Sequence, residues 1–280
     1  MTAIPPAPPV RPLEPGAAPL AILLDYDGTV AQTDVGDTVM AEHVTADWEP
    51  IVVAYEEGRI GSRRTMEAEL ALLRATEAQL MATAVAQPHD PGVAPLVRRA
   101  RAAGIPVEIV SDGFGFYIPA ALAALGLEDL PIVAASTTFE GDRARIDFPN
   151  GQPTCFVCGT CKRQRVLAHQ AAGRAVVFVG DGESDRYAAG YADVVFAKRS
   201  LVRICLEAGW PFRHWTEFSE IDAWLATALD AWRRDSSSLP PPEVRPLFCG
   251  PEVWGEGRAN PPPGAWPPGS SRLAPRGTIR

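Results

Sequence analysis

The sequence predicts a doubly wound α/β fold, a Rossmann-like parallel sheet with a helical cap inserted after the first strand. Three observations predict it. Five short runs, at 20–24, 106–110, 131–135, 175–179 and 193–196, are rich in Val, Ile, Leu and Ala and nearly continuous in hydrophobicity. Such runs suit parallel strands buried on both faces. Helical patterns at 91–103, 114–125, 162–171, 184–190, 200–207 and 217–233 alternate with them. Alternation of this kind implies a parallel sheet covered by helices. The stretch 33–90 breaks the alternation, holding no good strand and reading as mostly helical. Ligands in folds of this class bind beyond the carboxyl ends of the strands.

Along the chain, residues 1–19 contain seven prolines and read as a disordered, polyproline-like arm. The first strand, 20–24, follows. Within 33–90, the segments 48–57 and 62–74 read as helices, and Thr76 is placed to cap another over 77–87. An insert directly after the first strand sits over its carboxyl end, which makes it a natural lid. The α/β core then comprises 20–32 and 91–234. Gly104 and Gly126 follow two of its helices and read as C-caps. Residues 235–280 hold eleven prolines and six glycines and read as a disordered tail.

Composition narrows the function classes. A chain of 280 residues can hold one large domain or a core with a smaller insert. The net charge of −8 excludes a broad basic face for nucleic acid. No apolar run is long enough for a membrane helix. No cationic segment leads into an apolar one at the N-terminus, so no secretory signal is expected. Five cysteines, odd in number and mostly clustered, do not form a secreted disulfide framework, and a cytoplasmic location is expected. Arginine outnumbers lysine 24 to two, so Lys162 and Lys198 raise the question of whether a compact ammonium is needed there. His43, His89, His169 and His214 show no metal-ligand spacing, and Trp210, Trp215, Trp224 and Trp232 read as packing residues.

The chemistry concentrates in four segments. Asp25-Tyr26-Asp27-Gly28-Thr29 follows the first strand. Two carboxylates two residues apart in a glycine turn suit Mg²⁺-dependent phosphoryl transfer, one attacking phosphorus and the other handling protons. Taken alone, the segment also fits a surface Asp-Gly turn. Ser111-Asp112-Gly113 follows 106–110, where a hydroxyl and turn amides can hold a phosphate oxygen. Lys162 opens a helix, from which its ammonium can reach a phosphate and the attacking carboxylate. Asp181 and Asp185 follow 175–179 and can complete a Mg²⁺ site, which prefers oxygen ligands. The same α/β pattern places all four, so they read as parts of one site.

In this order, D-x-D-G-T, S-D-G, Lys and G-D-G-x-x-D resemble the haloacid dehalogenase superfamily of phosphatases, over about 20–220. The helical insert resembles the C1 cap of subfamily IB, which includes the phosphoserine phosphatases. The resemblance implies that Asp25 is the nucleophile of an aspartyl-phosphate mechanism. Asp27 would protonate the leaving alcohol and then activate water. Ser111 and Lys162 would hold the transferring phosphoryl group, with Thr29, Asp112 and Gly113 in the phosphate- and substrate-binding set. Mg²⁺ would be bound by Asp25, the main-chain carbonyl of Asp27, Asp181 and, directly or through water, Asp185. The second aspartate separates this chain from the dehalogenases, which lack it because halide leaves without a proton.

A narrower resemblance rests on Arg143-Ala-Arg-Ile-Asp-Phe-Pro149, on Cys155, Cys158 and Cys161 before Lys162, and on Val195-Phe-Ala-Lys-Arg-Ser-Leu201. This layout is similar to the 2-hydroxy-3-keto-5-methylthiopentenyl-1-phosphate phosphatases of methionine salvage and their relatives. It implies a small phosphate ester, enol or sugar-like, as substrate. Asp34 stands where phosphoserine phosphatases carry a glutamate for the substrate amine. Glu67 stands where they carry an arginine for its carboxylate, with Arg59, Arg63 and Arg64 nearby as substitutes or as solvated helix residues. Phosphoserine therefore ranks lower. A phosphoserine phosphatase, a phosphotransferase of the same fold and a non-catalytic binding protein stay open as alternatives. The cysteine cluster offers three thiolates, whereas structural Zn²⁺ normally takes four ligands. It reads as reduced thiols tightening a loop, as a Zn²⁺ site completed by Cys205, Cys249 or His169, or as a redox or iron–sulfur site.

Overall fold

Parallel strands rich in apolar residues build the centre of the protein. The computed structural model describes residues 3–57, 59–152 and 157–243. The chain runs from β1 (Leu20–Leu24) through a wide turn at Tyr26–Val30 into α1 (Val35–His43), α2 (Glu49–Glu56), α3 (Ser62–Leu72) and α4 (Glu77–Val85). It then forms α5 (Val93–Ala102), β2 (Val107–Val110), α6 (Ile118–Ala124) and β3 (Ile132–Val133). A hairpin, β4 (Ser136–Glu140) and β5 (Arg143–Asp147), leads to α7 (Lys162–Ala171) and β6 (Ala175–Gly180). Last come α8 (Arg186–Ala189), β7 (Val194–Ala197), α9 (Arg199–Ala208), β8 (Arg213–His214) and α10 (Phe218–Arg234).

The sheet order is β3-β2-β1-β6-β7-β8, with every pairing parallel. Successive residues of a strand point to opposite faces, and both faces are filled. Leu20, Ile22 and Leu24 join one apolar cluster with Val177 and Val179, whereas Leu23 joins another with Val176 and Phe178. Helices α5, α6 and α10 pack on the first face through residues such as Leu96, Leu122 and Leu225. Helices α7, α8 and α9 cover the second through Val166, Ala189 and Ile204. Gly104 and Gly126, both left-handed, follow α5 and α6 as read from the sequence. The pairings Leu24 with Val179 and Leu24 with Ile109 align the carboxyl ends of three strands. Neighbours of β1 on its two sides run off in opposite sequence directions, which makes its carboxyl end the switch point where such sheets bind ligands.

Several sequence expectations change in the structure. The strand read over 131–135 pairs only at Ile132–Val133, because Ala135 turns the chain into a hairpin that the sequence reading did not assign. In β5, exposed Arg143, Arg145 and Asp147 alternate with half-buried Ala144 and Ile146. That period of two was present in Arg-Ala-Arg-Ile-Asp but lacks the long apolar residues of the core strands. The insert also contains α1, whose first turn is capped by Asp34 through the Asp37 N–H at 2.9 Å.

The arm expected to be disordered is extended, as its prolines require, yet held against the core. Ile4 is buried, and its N–H donates to Ser136 Oγ at 3.1 Å. Ala7 N–H donates to Asn150 Oδ1 at 2.6 Å, and Leu13 N–H to the Ala172 carbonyl at 2.8 Å. Two buried arginines hold the middle of the arm. Arg165 donates to the Pro8 carbonyl at 2.8 Å, and Arg174 donates to the carbonyls of Arg11 and Pro12 at 2.6 and 3.1 Å. An extended segment without internal backbone pairing leaves its carbonyls free for such donors. Residues 244–280 of the tail lie outside the described residues.

Beneath this arm, Glu108 of β2 accepts hydrogen bonds from Arg165 of α7 and from His169 Nε2 at 3.1 Å. Burial pushes the Glu108 carboxyl up, but His169 and Arg165 together outweigh it and hold the group below its ordinary range. Arg165→Met would leave the buried Glu108 carboxylate with His169 as its one remaining partner among the described residues, and a loss approaching about 3 kcal/mol in urea unfolding is expected. Because the folded pKa is depressed, this stabilisation is complete above about pH 4.3, the unfolded value. It is lost as pH falls through the folded value. Glu108→Gln should therefore flatten the acid limb of the stability–pH curve, and an unchanged acid limb would contradict the assignment.

Candidate active site

Each predicted acid stands one residue beyond a strand or in the turn that follows. Asp25 ends β1, with its N–H bonded to the Val179 carbonyl of β6 at 3.0 Å. Asp181 follows β6, and Ser111 follows β2. Lys162 is the first residue of α7 and is almost wholly buried. Its Nζ lies 2.7 Å from Asp25 Oδ1, 2.7 Å from Asp185 Oδ1 and 3.0 Å from Ser184 Oγ. Burial alone would lower the ammonium's pKa, but Asp185, Asp25 and Asp112 raise it beyond the ordinary lysine value. Lys198, the other lysine, stacks 3.9 Å from the ring centre of Trp215. Of the two lysines, one is thus buried among carboxylates and the other packs against an aromatic ring.

Asp25, Asp181 and Asp185 are all buried and present carboxylate oxygens within 4.8 Å of one another. Asp185 is fixed by the N–H groups of Asp181 at 2.8 Å and Gly182 at 3.0 Å. Asp181 is fixed by the Thr29 hydroxyl at 2.9 Å and by Arg199 Nη1 at 3.1 Å. Burial and the Asp185 charge push Asp181 up to about 6. Burial, Asp185 and Asp181 likewise push Asp25 up, against the pull of Lys162. Three buried carboxylates thus share one buried ammonium and the half-exposed Arg199 guanidinium. The remaining negative charge and the all-oxygen donor set fit a hard divalent cation such as Mg²⁺. Gly28, at φ +67°, lets the turn pass over this group, because a Cβ there would overlap the Asp181 carboxylate and the Arg199 guanidinium.

Asp27 is held differently. Tyr117 OH lies 2.9 and 3.0 Å from its two oxygens, the Val35 N–H donates at 3.2 Å, and Ser111 Oγ donates at 3.3 Å. Burial and the nearby Asp34 charge push Asp27 up to about 8, against the bond from Tyr117. At neutral pH it is then largely protonated and can give a proton away. Ser111 Oγ also accepts the Gly113 N–H at 3.1 Å, which shapes the turn expected to hold phosphate.

Two residues of the expected phosphate-binding set have other side-chain partners. Thr29 is fully buried and donates to Asp181, so its hydroxyl orients one carboxylate of the trio that could hold a metal ion. Asp112 accepts from the Ser62 hydroxyl of α3 and from the Thr160 N–H at 2.8 Å. Its carboxylate therefore ties the insert to the core, leaving only its main chain for a phosphate. Asp34 lines the cavity beside Asp27. The arginines considered for a substrate carboxylate are elsewhere: Arg59 pairs with Glu57 at 2.6 Å, Arg64 with Glu67 at 3.4 Å, and Arg63 stacks on Phe148. Of the cysteine cluster, Cys161 is buried, Cys158 is partly buried, and Cys155 lies outside the described residues. Among the described residues, the aspartate trio is the group with metal-binding geometry. No described helix is long and apolar enough to cross a membrane.

The model of the haloacid dehalogenase-like hydrolases matches residues 22–190. The chain belongs to this family. Two curated relatives are 2-hydroxy-3-keto-5-methylthiopentenyl-1-phosphate phosphatases. That of Brevibacillus brevis is 25% identical over 72% of this chain and 93% of its own length. That of Exiguobacterium sibiricum is 28% identical over 74% and 97%. Among solved structures, a phosphoserine phosphatase with a phospho-aspartyl intermediate analogue superposes with a TM-score of 0.58, covering 74% of this chain and 99% of that one. At 17% identity that likeness shows the fold alone. This member of the hydrolase family is an enzyme of its phosphatase type. Tyr117 and Arg199 were not foreseen in the sequence, since each reaches the site from a helix far along the chain. Arg199 carries a signal only in three dimensions, a left-handed φ of 48° at a non-glycine residue.

Hydrogen-bond partners of metal ligands typically matter 10- to 100-fold. Thr29→Val is therefore expected to raise the Mg²⁺ concentration giving half-maximal activity by about that factor. A Mg²⁺ titration identical to that of the unaltered protein would remove Thr29 from this role.

Proposed function

We propose that this protein is a Mg²⁺-dependent phosphatase that hydrolyses a small phosphomonoester through an aspartyl-phosphate on Asp25. The observation that carries this is the contrast between two buried carboxylates two residues apart. Asp25 lies against an ammonium, whereas Asp27 lies against hydroxyls and beside another acid. One environment suits a nucleophile and the other a proton donor.

Asp25 Oδ1 accepts from the Tyr26 N–H at 2.7 Å and pairs with Lys162. Its Oδ2 is left for attack on phosphorus. As that P–O bond forms, the bond to the leaving alcohol breaks and Asp27 gives its proton to the departing oxygen. Asp27, now a carboxylate, takes a proton from water as that water attacks phosphorus. Inorganic phosphate leaves and Asp25 is restored. Lys162 offsets the repulsion between the anionic ester and the carboxylate that attacks it. Mg²⁺ held by Asp25, Asp181, Asp185 and the Asp27 carbonyl would supply further charge stabilisation at the phosphoryl oxygens. The helical insert 33–90 acts as the lid, since α1, α2 and α3 supply one wall of the cavity beside Asp25. No lysine or arginine lines that cavity among the described residues, which supports an ester without a carboxylate, such as an enol or sugar-like phosphate.

Asp25→Asn should abolish phosphate release while leaving the melting temperature close to that of the unaltered protein, and retained turnover would refute the nucleophile. EDTA should inhibit and excess Mg²⁺ restore. Asp27→Asn should cost about 10²–10⁴ in kcat on an alkyl phosphate. In single-turnover release of the alcohol, which stops before the water step, the loss should be much smaller on p-nitrophenyl phosphate, whose leaving group needs no proton; equal single-turnover losses on both esters would argue against a proton-donor role.

A further inference from the structure

We propose that the alcohol released by this site carries a protonated amine and no carboxylate, and that Glu69 with Asp37 receives the ammonium. This rests on the phosphatase reading above and names its substrate class.

Glu69 carries the argument. Along α3, Ser62, Thr65, Met66 and Glu69 stand at helical positions i, i+3, i+4 and i+7. All four are buried, and all line the cavity that opens onto Asp25 and Asp27. Ser62 and Thr65 are satisfied, by Asp112 and by the Gly61 carbonyl. Glu69 is not. It is only 7% exposed, faces the cavity and has neither a hydrogen bond nor a cationic partner among the described residues. Buried carboxylates in folded proteins are normally paired, so an unpaired one on a cavity wall points to a partner that arrives with the ligand.

The surroundings specify the charge of that partner. Asp34 and Asp37 of the α1 turn and Glu56 of α2 line the same wall, with no lysine or arginine among the described lining residues. Burial, then the charges of Asp37 and Asp34, push Glu69 up to about 8, as expected of a carboxylate lacking a counter-charge. An arriving ammonium supplies that charge, so that the carboxyl gives up its proton to solvent and accepts the missing hydrogen bonds. The faces of Tyr55, Phe114 and Tyr117, also on the wall, suit a cation as well. A carboxylate on the same alcohol would meet only acids. The cavity holds about 230 Å³, below the range of drug-sized sites, so the phosphate group leaves room for a short amino alcohol.

The test compares 2-aminoethyl phosphate, 2-hydroxyethyl phosphate and phosphoserine with Mg²⁺ present. The expected result is a kcat/KM for the amine at least about 10-fold above each of the other two. Glu69→Gln, and separately Asp37→Asn in case the first variant folds poorly, should narrow the ratio of amine to hydroxyl ester toward one. Calorimetric binding of the amine and hydroxyl esters to Asp25→Asn protein gives a readout that needs no turnover, and the amine should bind more tightly. Equal binding, equal kcat/KM values, preference for phosphoserine, or an unchanged ratio in both variants would overturn the proposal. Absence of phosphate release from all three esters would count against the phosphatase reading, while the binding comparison would still decide the amine.

Discussion

The Lys162 ammonium, buried between Asp25 and Asp185, is the contact on which the site depends. Three buried carboxylates brought together repel one another, and a single compact cation from the start of α7 joins the end of β1 and the β6 turn. Arginine, planar and larger, is not an equivalent replacement for a point charge there. This explains why a chain that otherwise uses arginine almost throughout keeps a lysine at this position. The hydrogen bonds from Thr29, Gly182 and the Asp181 N–H then fix the carboxylates around it.

The same division of labour extends outward. The sheet supplies fixed anchor points at strand ends, where the register aligns Leu24, Ile109 and Val179. The helices of the insert supply the wall that the substrate's leaving group meets. Asp112 links the two, accepting from Ser62 on α3 while standing in the turn after β2. On the proposed reading, phosphoryl chemistry lies on the core and recognition of the alcohol on the insert above it. Substrate can change in such an arrangement by exchange of α1–α3 residues without disturbing the acids below.

Much of this was legible in the sequence because the relevant signals are local. Strand 20–24 and helix 162–171 are continuous patterns, and the structure places both where they were read. Three of the four motifs follow directly from strand ends, and Lys162 opens a helix. Signals were weaker where structure comes from distant partners. The β4–β5 hairpin has few apolar residues and becomes a pair only through its cross-strand bonds. The proline-rich arm has the composition of a disordered segment, yet Arg165 and Arg174, about 160 residues away, hold it in place.

By itself, the sequence determined the fold class and the order of the motifs, and it singled out Asp25, Asp27, Lys162, Asp181 and Asp185 as candidates. Each depends on neighbours within a few residues, through strand hydrophobicity and turn chemistry. Tertiary structure alone decided that Tyr117 reaches Asp27, that the Thr29 hydroxyl bonds Asp181, and that Arg199 pairs with Asp181. It also decided that Glu69 faces a cavity without a partner. Those outcomes depend on which side chains share a buried space, and burial sets the cost of a charge that nothing within a few residues of it can reveal.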